Sequence, residues 1–377
     1  MKVQLSSFLR EVSDKTTVND QYPVLTSSKA GLFLQSDYFN KQVASKDNTG
    51  YKIIRRGQFT YRAMSDTGEF FPNMLECADI GIVSPAYPVF EIMKPGLILP
   101  EYLKFFFKSD AFQHSISAFA QGSTRTSVKF SKMQTVLISL PPIDEQRRIV
   151  EVLNRAQELV TARETSLSTL DTLIKARFVE MFGDINTNDR GWDVQPLGEL
   201  CTIVRGGSPR PIEDYLGGDV PWIKIGDATE GESIYLHSTK EHIIQEGVKR
   251  SRLVKSGSLI FANCGVSLGF ARIITFDGCI HDGWLAMEDI DPRLDKVFLL
   301  QALNQMTKHF REIAPAGTQP NLNTAIMKAY KQIIPPMELQ KSYIAFVTQV
   351  DKSKVVVQKA LEEAQLLFDS LMQTYFG

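Results

Sequence analysis

The residue types that most often carry chemistry form few close spacings in this sequence. His237 and His242 flank Glu241, and side chains of these types can hold a metal ion. Their separation suits neither one face of a helix nor the ligand spacing of a zinc motif. The remaining histidines, His281 among them, are isolated in the sequence. The pattern therefore predicts no metal site.

Phosphate-binding loops are also missing from the sequence. No GxxxxGK(S/T) motif occurs, so we do not expect this chain to bind ATP or to drive translocation. Gly206 and Gly207 adjoin Arg205 and Ser208, but they lack the strand, GxGxxG and helix context of a dinucleotide site. We interpret them as part of a loop. The sequence predicts no catalytic residue and no cofactor on the chain itself.

The composition is ordinary for a soluble protein with more than one domain. The 377 residues are 43% hydrophobic and 23% charged, which is enough to build two or more cores. Four cysteines without CxxC spacing predict reduced thiols. No apolar run is long enough for a bilayer and no signal peptide is recognisable, so we expect a cytoplasmic protein. Because the net charge is −1, any nucleic-acid-binding surface must be local.

A long predicted helix is the element that must position any functional surface. Pro141 and Pro142 end the preceding segment, because proline fixes φ and lacks an amide donor. Apolar residues then recur at helical spacing from Ile143 to Phe182 without Pro or Gly, and Gly183 supplies a stop. The pattern predicts one helix of about forty residues, roughly 60 Å long, as in a coiled-coil spacer.

The same stretch occurs twice in the chain. Pro335 and Pro336 open a second copy that ends at Gly377, at an offset of 194 residues (335 − 141, and again 377 − 183). Thr124 and Thr318 keep this offset upstream of the prolines. The repeat predicts a tandem duplication. Equal helix lengths favour antiparallel pairing of the two helices; the alternative is that each helix packs separately on its own domain.

The block that precedes each long helix mixes short strands and helices. Residues 51–61 predict a strand, a Gly turn and a second strand, and residues 251–261 repeat this pattern. The aromatic run at 101–107 follows Pro100, which predicts a helix whose aromatic side chains are buried. Residues 297–303 occupy the corresponding place in the second block.

These observations predict an α+β protein with two mixed α/β domains separated by two long antiparallel coiled-coil helices, a pseudo-twofold tandem duplication. The predicted domains are residues 1–142 and 185–334. The predicted spacer helices are residues 143–184 and 335–377.

Several short motifs occur at fixed places around the two long helices. They are Leu-Pro-Pro-x-x-Glu-Gln at 140–146, Ile-Pro-Pro-x-x-Leu-Gln at 334–340, Gly-Thr-Gln-Pro-Asn-Leu at 317–322, Phe-Gly-Asp at 182–184, the segment 192–200 and the segment 220–227. With these motifs, the whole chain resembles the specificity subunit of type I restriction-modification systems. It departs from the pattern at Leu339, where the first copy has Glu145, and at residues 3–9, which only faintly repeat 194–200.

The resemblance implies two target-recognition domains, each of which reads one half of a bipartite site in double-stranded DNA. The helix pair would set the gap between the half-sites and dock methyltransferase subunits, two of them, with restriction and translocation subunits as further partners. S-adenosylmethionine, ATP and Mg would be bound by those partners. The partner methyltransferases carry an (N/D)-P-P-(Y/F) loop, whereas the Pro-Pro pairs here follow Leu140 and Ile334. The chain itself would not be an enzyme.

DNA recognition calls for side chains that pair with base edges or phosphates. Arg and Lys pair with guanine or phosphate, and Asn and Gln pair with adenine. The predicted DNA-binding residues are Lys52, Arg55, Arg56, Arg62, Thr124 and Arg125 in the first block, and Arg205, Ser208, Arg210, Lys224, Asn263, Thr318, Gln319 and Asn321 in the second. For each of them the alternative is a solvated loop or turn residue, and Asn321 and Asn323 could cap the following segment. The alternative function is a duplicated protein-interaction scaffold with a coiled-coil spacer.

Overall fold

A computed structural model describes residues 2–38, 47–119, 126–229, 234–265, 267–315 and 321–377. The chain divides into two compact units, of which unit 1 is Met1–Thr165 with Val357–Gly377 and unit 2 is Ser166–Val356. The chain thus leaves unit 1 within one long helix and returns to it within the other. The predicted domains, residues 1–142 and 185–334, end where the long helices begin and are therefore defined differently from these units. They stay a prediction.

The secondary structure of the first block consists of short strands and three helices of four to nine residues beside a helical turn at Gln35–Tyr38. In chain order the elements are β1 (Lys2–Gln4), β2 (Leu9–Val12), β3 (Leu25–Ser28), β4 (Gly31–Leu34), α1 (Gln35–Tyr38), β5 (Lys52–Arg55), β6 (Phe59–Thr60), β7 (Met64–Ser65), β8 (Asn73–Met74), β9 (Ile80–Val83), β10 (Val89–Ile92), α2 (Pro100–Lys108), α3 (Asp110–Ser117), β11 (Thr126–Ser127), α4 (Phe130–Met133) and β12 (Leu137–Ser139).

The core of unit 1 lies between an antiparallel sheet, ordered β2-β10-β6-β8, and helix α2. Pro100 occupies the first turn of α2, where its missing amide costs no hydrogen bond. Phe107 of α2 packs edge-on against Phe59 and Phe90, with ring centroids 5.7 and 6.0 Å away. The predicted helix and the predicted burial of its aromatic side chains are confirmed.

The second block has longer strands than the first. Its elements are β13 (Asp193–Pro196), α6 (Leu197–Leu200), β14 (Thr202–Arg205), β15 (Leu216–Ile223), β16 (Tyr235–Leu236), β17 (Glu241–Ile243), α7 (Gln245–Val248), β18 (Arg252–Val254), β19 (Leu259–Ala262), β20 (Ala271–Ile274), β21 (Gly278–Ile280), β22 (Trp284–Glu288), α8 (Lys296–Gln305), α9 (Thr307–Ile313), α10 (Thr324–Ala329) and β23 (Lys331–Ile334), with α5 (Ile143–Phe182) before them and α11 (Met337–Phe376) after them.

Two mixed sheets organise unit 2. One sheet has the order β14-β22-β19-β20-β16 and the other has the order β17-β15-β21-β18. In each sheet one pair of strands is parallel, β16 with β20 and β15 with β21. Because β21 and β22 are consecutive strands in different sheets, the turn between them lies where the two sheets meet.

The two blocks begin and end in the same way. Strand β1 pairs antiparallel with β12, and β13 pairs antiparallel with β23, so the first strand of each block lies beside the strand that leads into its long helix. A helical turn follows the first strand in both, at Leu5–Ser7 and at Leu197–Leu200. The faint sequence repeat at the start of the first block therefore reflects equivalent structure.

The long helices α5 and α11 are both 40 residues long, and they pair antiparallel. In unit 1, Ile149 of α5 lies in one core with Phe376 of α11. In unit 2, the Tyr343 ring of α11 lies edge-on to Phe178 of α5 with centroids 5.4 Å apart, and Lys354 reaches Asp171 at 2.6 Å. The predicted pairing is confirmed. Among the described residues no helix is both long and apolar enough to span a membrane.

A buried glutamine fixes the first turn of each long helix to its block. Gln146 is fully buried, and its Oε1 accepts a hydrogen bond from the Leu99 amide at 2.9 Å. Its Nε2 donates to the carbonyls of Leu97 and Pro141 at 3.0 and 2.9 Å. All three backbone partners belong to segments that enter a helix, so one side chain joins the starts of α2 and α5.

Gln340 repeats the arrangement at the start of α11. It is also fully buried, and its Oε1 accepts from the Asp295 amide at 2.8 Å. Its Nε2 donates to the carbonyls of Arg293 and Pro335 at 2.8 and 2.7 Å. The glutamine of each Pro-Pro motif thus has the same three partners, which explains why this residue type stands at both positions. We call the two arrangements the glutamine clamps.

Candidate functional site

Several predicted residues of the second block converge on the turn between β21 and β22. Asp282 in this turn accepts a hydrogen bond from Ser208 Oγ at 2.8 Å and contacts Arg210 Nη2 at 3.4 Å. Its backbone carbonyl accepts from Arg205 Nε at 3.1 Å. One residue thereby holds three side chains that the sequence marked as candidates.

Two glycines let the loop after β14 lie directly against this turn. The amides of Gly206 and Gly207 donate to the carbonyls of Trp284 and Ile280 at 2.9 and 3.0 Å. A Cβ on Gly206 would lie 2.2 Å from the carbonyl oxygen of His281, so no larger residue fits there. The Gly-Gly pair is a loop, as predicted, and it seats Ser208 and Arg210 beside Asp282.

His281 completes the cluster in its neutral form. Its Nδ1 accepts a hydrogen bond from the Gly283 amide at 2.9 Å, and its Nε2 lies 3.0 Å from an Asp282 carboxylate oxygen. Burial lowers the pKa of His281 below its usual value of 6.5; Asp282 opposes this shift, and positive neighbours such as Lys224 add to it. The proton of the neutral ring is therefore on Nε2, where it is donated to Asp282.

Asp282 stays charged although it is partly buried. Burial raises the pKa of its carboxyl, but the Ser208 hydroxyl and the positive charges of Arg210 and Arg205 outweigh burial, and the pKa falls below its ordinary value. At neutral pH a single carboxylate therefore faces two guanidinium groups. We call Arg205, Ser208, Arg210, His281 and Asp282 the Asp282 cluster.

A concave surface adjoins the Asp282 cluster. A cavity of about 310 Å³ is bounded by Ser208, Arg210 and His281 on one side and by apolar residues, among them Pro211 and Trp222, on the other. The Trp222 ring lies edge-on to His281, with centroids 5.8 Å apart. The side chain of Arg210 is 79% exposed at this edge. The arrangement offers hydrogen-bond donors above an apolar wall, as binding sites for planar ligands do.

Lys224 lies close to this cavity but is held by acidic neighbours. Its Nζ forms an ion pair with Glu241, and its backbone amide donates to Asp227 at 2.8 Å. Glu241 is therefore engaged by a lysine rather than set beside His237 and His242 as a metal ligand. The described part of the chain contains no group of three His, Cys, Asp or Glu side chains that could hold a metal ion.

The structure places Asn263 in the interior. It is fully buried, and its Nδ2 donates to Asn321 Oδ1 and to the Leu322 carbonyl, both at 3.1 Å. These bonds fasten the segment that leads into α10, and Asn323 caps that helix by accepting from the Ile326 amide at 2.9 Å. The Asn263 amide donates to the Gly283 carbonyl at 3.0 Å, next to the Asp282 cluster, but its side chain is engaged by Asn321 and Leu322 rather than by the cluster. Thr318 and Gln319 lie outside the described residues.

Three predicted residues of the first block form ion pairs on the strand surfaces. The pairs are Lys52–Glu11 at 3.3 Å, Arg55–Asp14 at 2.8 Å and Arg56–Asp79 at 2.8 Å. Each of these cations is thus paired with a carboxylate, which weakens the electrostatic attraction of the cation for a phosphate. Thr124 and Arg125 lie outside the described residues.

Arg62 lines a groove in unit 1. The groove has a volume of about 670 Å³, and Lys29, Glu69 and Phe71 also line it. The side chain of Arg62 is 50% exposed and lies 3.7 Å from Asp66, whereas Lys29 pairs with Glu69 at 3.4 Å. The Lys29 ammonium lies 5.3 Å from the Phe71 ring centre. Arg62 thus lies in a concave surface of this block.

Sequence reasoning missed two members of the Asp282 cluster. Asp282 is not among the predicted residues, which are Arg, Lys, Asn, Gln, Ser and Thr side chains, and His281 is isolated in the sequence. The available signal was the polar turn 281–283 between two apolar strands, Gly278–Ile280 and Trp284–Glu288.

Comparison with known proteins assigns both blocks to the same family of domains. The family model described as the type I restriction modification DNA specificity domain matches twice, at residues 12–170 and 189–365. The type I restriction enzyme MjaIX specificity subunit of Methanocaldococcus jannaschii is 23% identical over 74% of this chain and 69% of its own length. The StySPI specificity subunit of Salmonella potsdam is 20% identical over 74% of this chain and 64% of its own length.

Solved structures share the fold. The S subunit of a type I restriction-modification system from M. genitalium superposes with a TM-score of 0.54 and 16% identity, covering all of this chain and 96% of that one. A chain from a study of complex assembly and conformational transition of the type I R-M system gives 0.60 and 19%, covering all of this chain and 97% of that one. The double family match confirms the tandem duplication. The chain therefore belongs to the family of type I restriction-modification specificity subunits.

Proposed function

We propose that this chain is the DNA sequence-recognition subunit of a type I restriction-modification complex, and that each block reads one half of a bipartite site in double-stranded DNA. The observation that carries the proposal is the presence of one DNA specificity domain in each block. Each unit also has a concave surface with an exposed arginine, Arg62 in unit 1 and Arg210 in unit 2. Membership of the family also confirms the prediction that the chain is not itself an enzyme.

The antiparallel helix pair would set the number of unread base pairs between the two half-sites. A helix rises about 1.5 Å per residue and B-DNA about 3.4 Å per base pair, so one heptad corresponds to about three base pairs. A heptad also keeps the same helix face toward the partner, apart from a rotation of about 20°. Helix length is therefore a variable that can be changed without changing the residues of either recognition block.

The same helices would dock two methyltransferase subunits. Large apolar side chains are exposed on them: Leu366 is 72% and Leu159 is 47% exposed in unit 1, and Val356 is 70% and Val355 is 58% exposed in unit 2. These exposed side chains could contribute apolar area to a surface that binds another protein. Restriction and translocation subunits are proposed as further partners, and S-adenosylmethionine, ATP and Mg would be bound by these enzymes.

Co-expression with a cognate methyltransferase subunit, followed by genome-wide mapping of methylated adenines, tests the proposal. We expect a split motif with a fixed gap. The absence of any motif would refute DNA recognition and favour the protein-interaction scaffold.

A paired deletion tests the role of the helices. Removing residues 162–168 from α5 and 355–361 from α11 takes one heptad from facing parts of the antiparallel pair. We expect both half-sites to be retained with a gap shorter by about three base pairs, or methylation to be lost if the partners no longer reach their sites. An unchanged gap would show that the helices do not set it. Deleting the heptad from one helix alone breaks the register of the helix pair and should abolish methylation.

A further inference from the structure

Asp282 contacts three side chains that lie close together in the sequence but far from Asp282 itself. Ser208 and Arg210 come from the loop after β14, and Arg205 ends that strand, whereas Asp282 lies 74 residues beyond Ser208. Ser208 Oγ both donates to the Asp282 carboxylate at 2.8 Å and accepts from the Asp282 amide at 3.3 Å. These two hydrogen bonds join the loop to the turn and fix the position of the carboxylate.

The arginines remain able to bind a ligand while they are held. The Arg210 side chain is 79% exposed and contacts Asp282 through one nitrogen, Nη2. Arg205 contacts the Asp282 carbonyl through Nε, which leaves its two terminal nitrogens uncommitted to that bond. A guanidinium has five N–H donors in a planar fork, so one tethered edge leaves another edge for a planar acceptor.

A carboxylate beside a surface that is proposed to bind DNA is unexpected, because it repels phosphates. The carboxylate can instead orient the guanidinium. A charge-assisted hydrogen bond restricts the guanidinium plane before DNA binds, so less side-chain entropy is lost on binding. Arginine needs such restriction for a bidentate bond to the O6 and N7 atoms of guanine, but not for a simple charge contact with phosphate. Pro211 and Trp222 line the same cavity as Arg210 and form its apolar wall.

We propose that Asp282 is a positioning residue that orients Arg210 to pair with a guanine in the half-site read by unit 2. This inference rests on the proposed function and adds to it a base, a contacting residue and the residue that aligns it. Ser208 keeps the carboxylate in place, and His281 donates its Nε2 proton to the same group. Asp282 itself touches no base.

The experiment compares full-length variants in the complex with the cognate methyltransferase subunit, with methylated adenines mapped across the genome. Asp282→Asn removes the charge that holds Arg210. Arg210→Lys keeps the charge but removes the fork. Asp277→Asn is the control, because Asp277 pairs with Lys255 at 2.7 Å and accepts from the Ser256 amide at 2.8 Å in an exposed turn of the same unit.

We expect both test variants to lose about tenfold of the preference for guanine at one position of one half-site, the size of effect that follows from losing one bidentate pair. The other half-site and the gap should not change, and Asp277→Asn should give the wild-type motif. If Asp282→Asn fails to fold, as judged by its thermal melting, Arg210→Lys decides the matter, because an exposed side chain can be changed without loss of the core.

Three results would overturn the inference. A wild-type motif in both variants would show that Arg210 reads no base, while leaving the proposed function intact. Lower methylation at all sites with unchanged base preference would assign Arg210 to a phosphate or Asp282 to stability alone. Absence of any motif with the wild-type chain would remove the proposed function, and this inference with it.

Discussion

Replacing Gln340 by alanine should destabilise unit 2 by breaking one glutamine clamp. The substitution removes the acceptor of the Asp295 amide and the donor to the carbonyls of Arg293 and Pro335. Gln340 is fully buried, so water does not reach these groups without local opening. The Pro335 carbonyl would then be buried without this partner, and the Asp295 amide and the Arg293 carbonyl would lose theirs in partly buried positions, which costs more than the loss of three exposed hydrogen bonds would.

The size of the effect follows from the number of bonds. A buried hydrogen bond contributes about 1 kcal/mol, and a buried group left without its partner costs about 1 to 3 kcal/mol. Three bonds at the lower of these values give about 3 kcal/mol, to be read as a decrease in the free energy of unfolding. Gln146→Ala should have a similar effect on unit 1, because its three partners are equivalent.

Urea unfolding followed by tryptophan fluorescence measures the effect. The three tryptophans, Trp192, Trp222 and Trp284, all belong to unit 2, so their emission reports the unfolding of that unit. Gln340→Ala should shift this transition to lower urea. Gln146→Ala should instead increase hydrogen exchange at the amides of unit 1.

Two further variants make the test strict. Gln349→Ala changes an exposed glutamine of the same helix and the same unit, so it should alter stability by less than about 0.5 kcal/mol. Gln340→Glu keeps the shape but turns the donor nitrogen into an oxygen that faces two carbonyls, and it should also destabilise. If Gln340→Ala stayed within about 0.5 kcal/mol of wild type, or if Gln340→Glu were neutral, the hydrogen-bonding argument would be wrong.

Three other perturbations probe unit 2 by the same unfolding measurement. Phe178→Ala removes a ring that is 1% exposed and should cost about 3 to 5 kcal/mol, whereas Leu173→Ala, at a side chain that is 45% exposed, should cost far less; equal losses would contradict the assigned burial. Lys354→Ala breaks the ion pair with Asp171 and should cost about 1 kcal/mol, less in high salt; a salt-independent loss would point to packing instead. Because the pKa of His281 is lower in the folded state than in the unfolded state, the unfolded chain binds the proton first, and stability should fall as the pH drops below 6.5; His281→Gln should weaken this dependence, and an unchanged pH profile would refute the assignment.

Sequence signals that act over a few residues predicted the long elements well. The predicted first helix begins at Ile143 and ends at Phe182, as the structure has it, because prolines before it and Gly183 after it stop a helix whatever surrounds them. Gly183 has a φ of +78°, the left-handed conformation that favours glycine at a helix end. The start of α2 at Pro100 was predictable for the same reason.

Features built by distant residues were beyond the same reasoning. The strands at Lys52–Arg55 and Phe59–Thr60 were predicted, but their partners, Ile80–Val83 and Val89–Ile92, are chosen by tertiary packing. The Asp282 cluster joins residues 74 apart, and nothing near Ser208 in the sequence identifies its acceptor. The predicted residues accordingly include Arg205, Ser208 and Arg210 and omit Asp282, which holds them.

The path of the chain through unit 1 has a consequence for its synthesis. Residues 1–165 leave the ribosome long before 357–377, yet both segments are needed to complete one core, in which the Phe376 ring lies 5.0 Å from Tyr102. Unit 2 is continuous in sequence, so it can finish folding while unit 1 still exposes the apolar surface that awaits α11. During translation this surface is open to chaperones and to association with other nascent chains. Unit 2 can therefore complete its fold before unit 1, although the synthesis of unit 1 begins first.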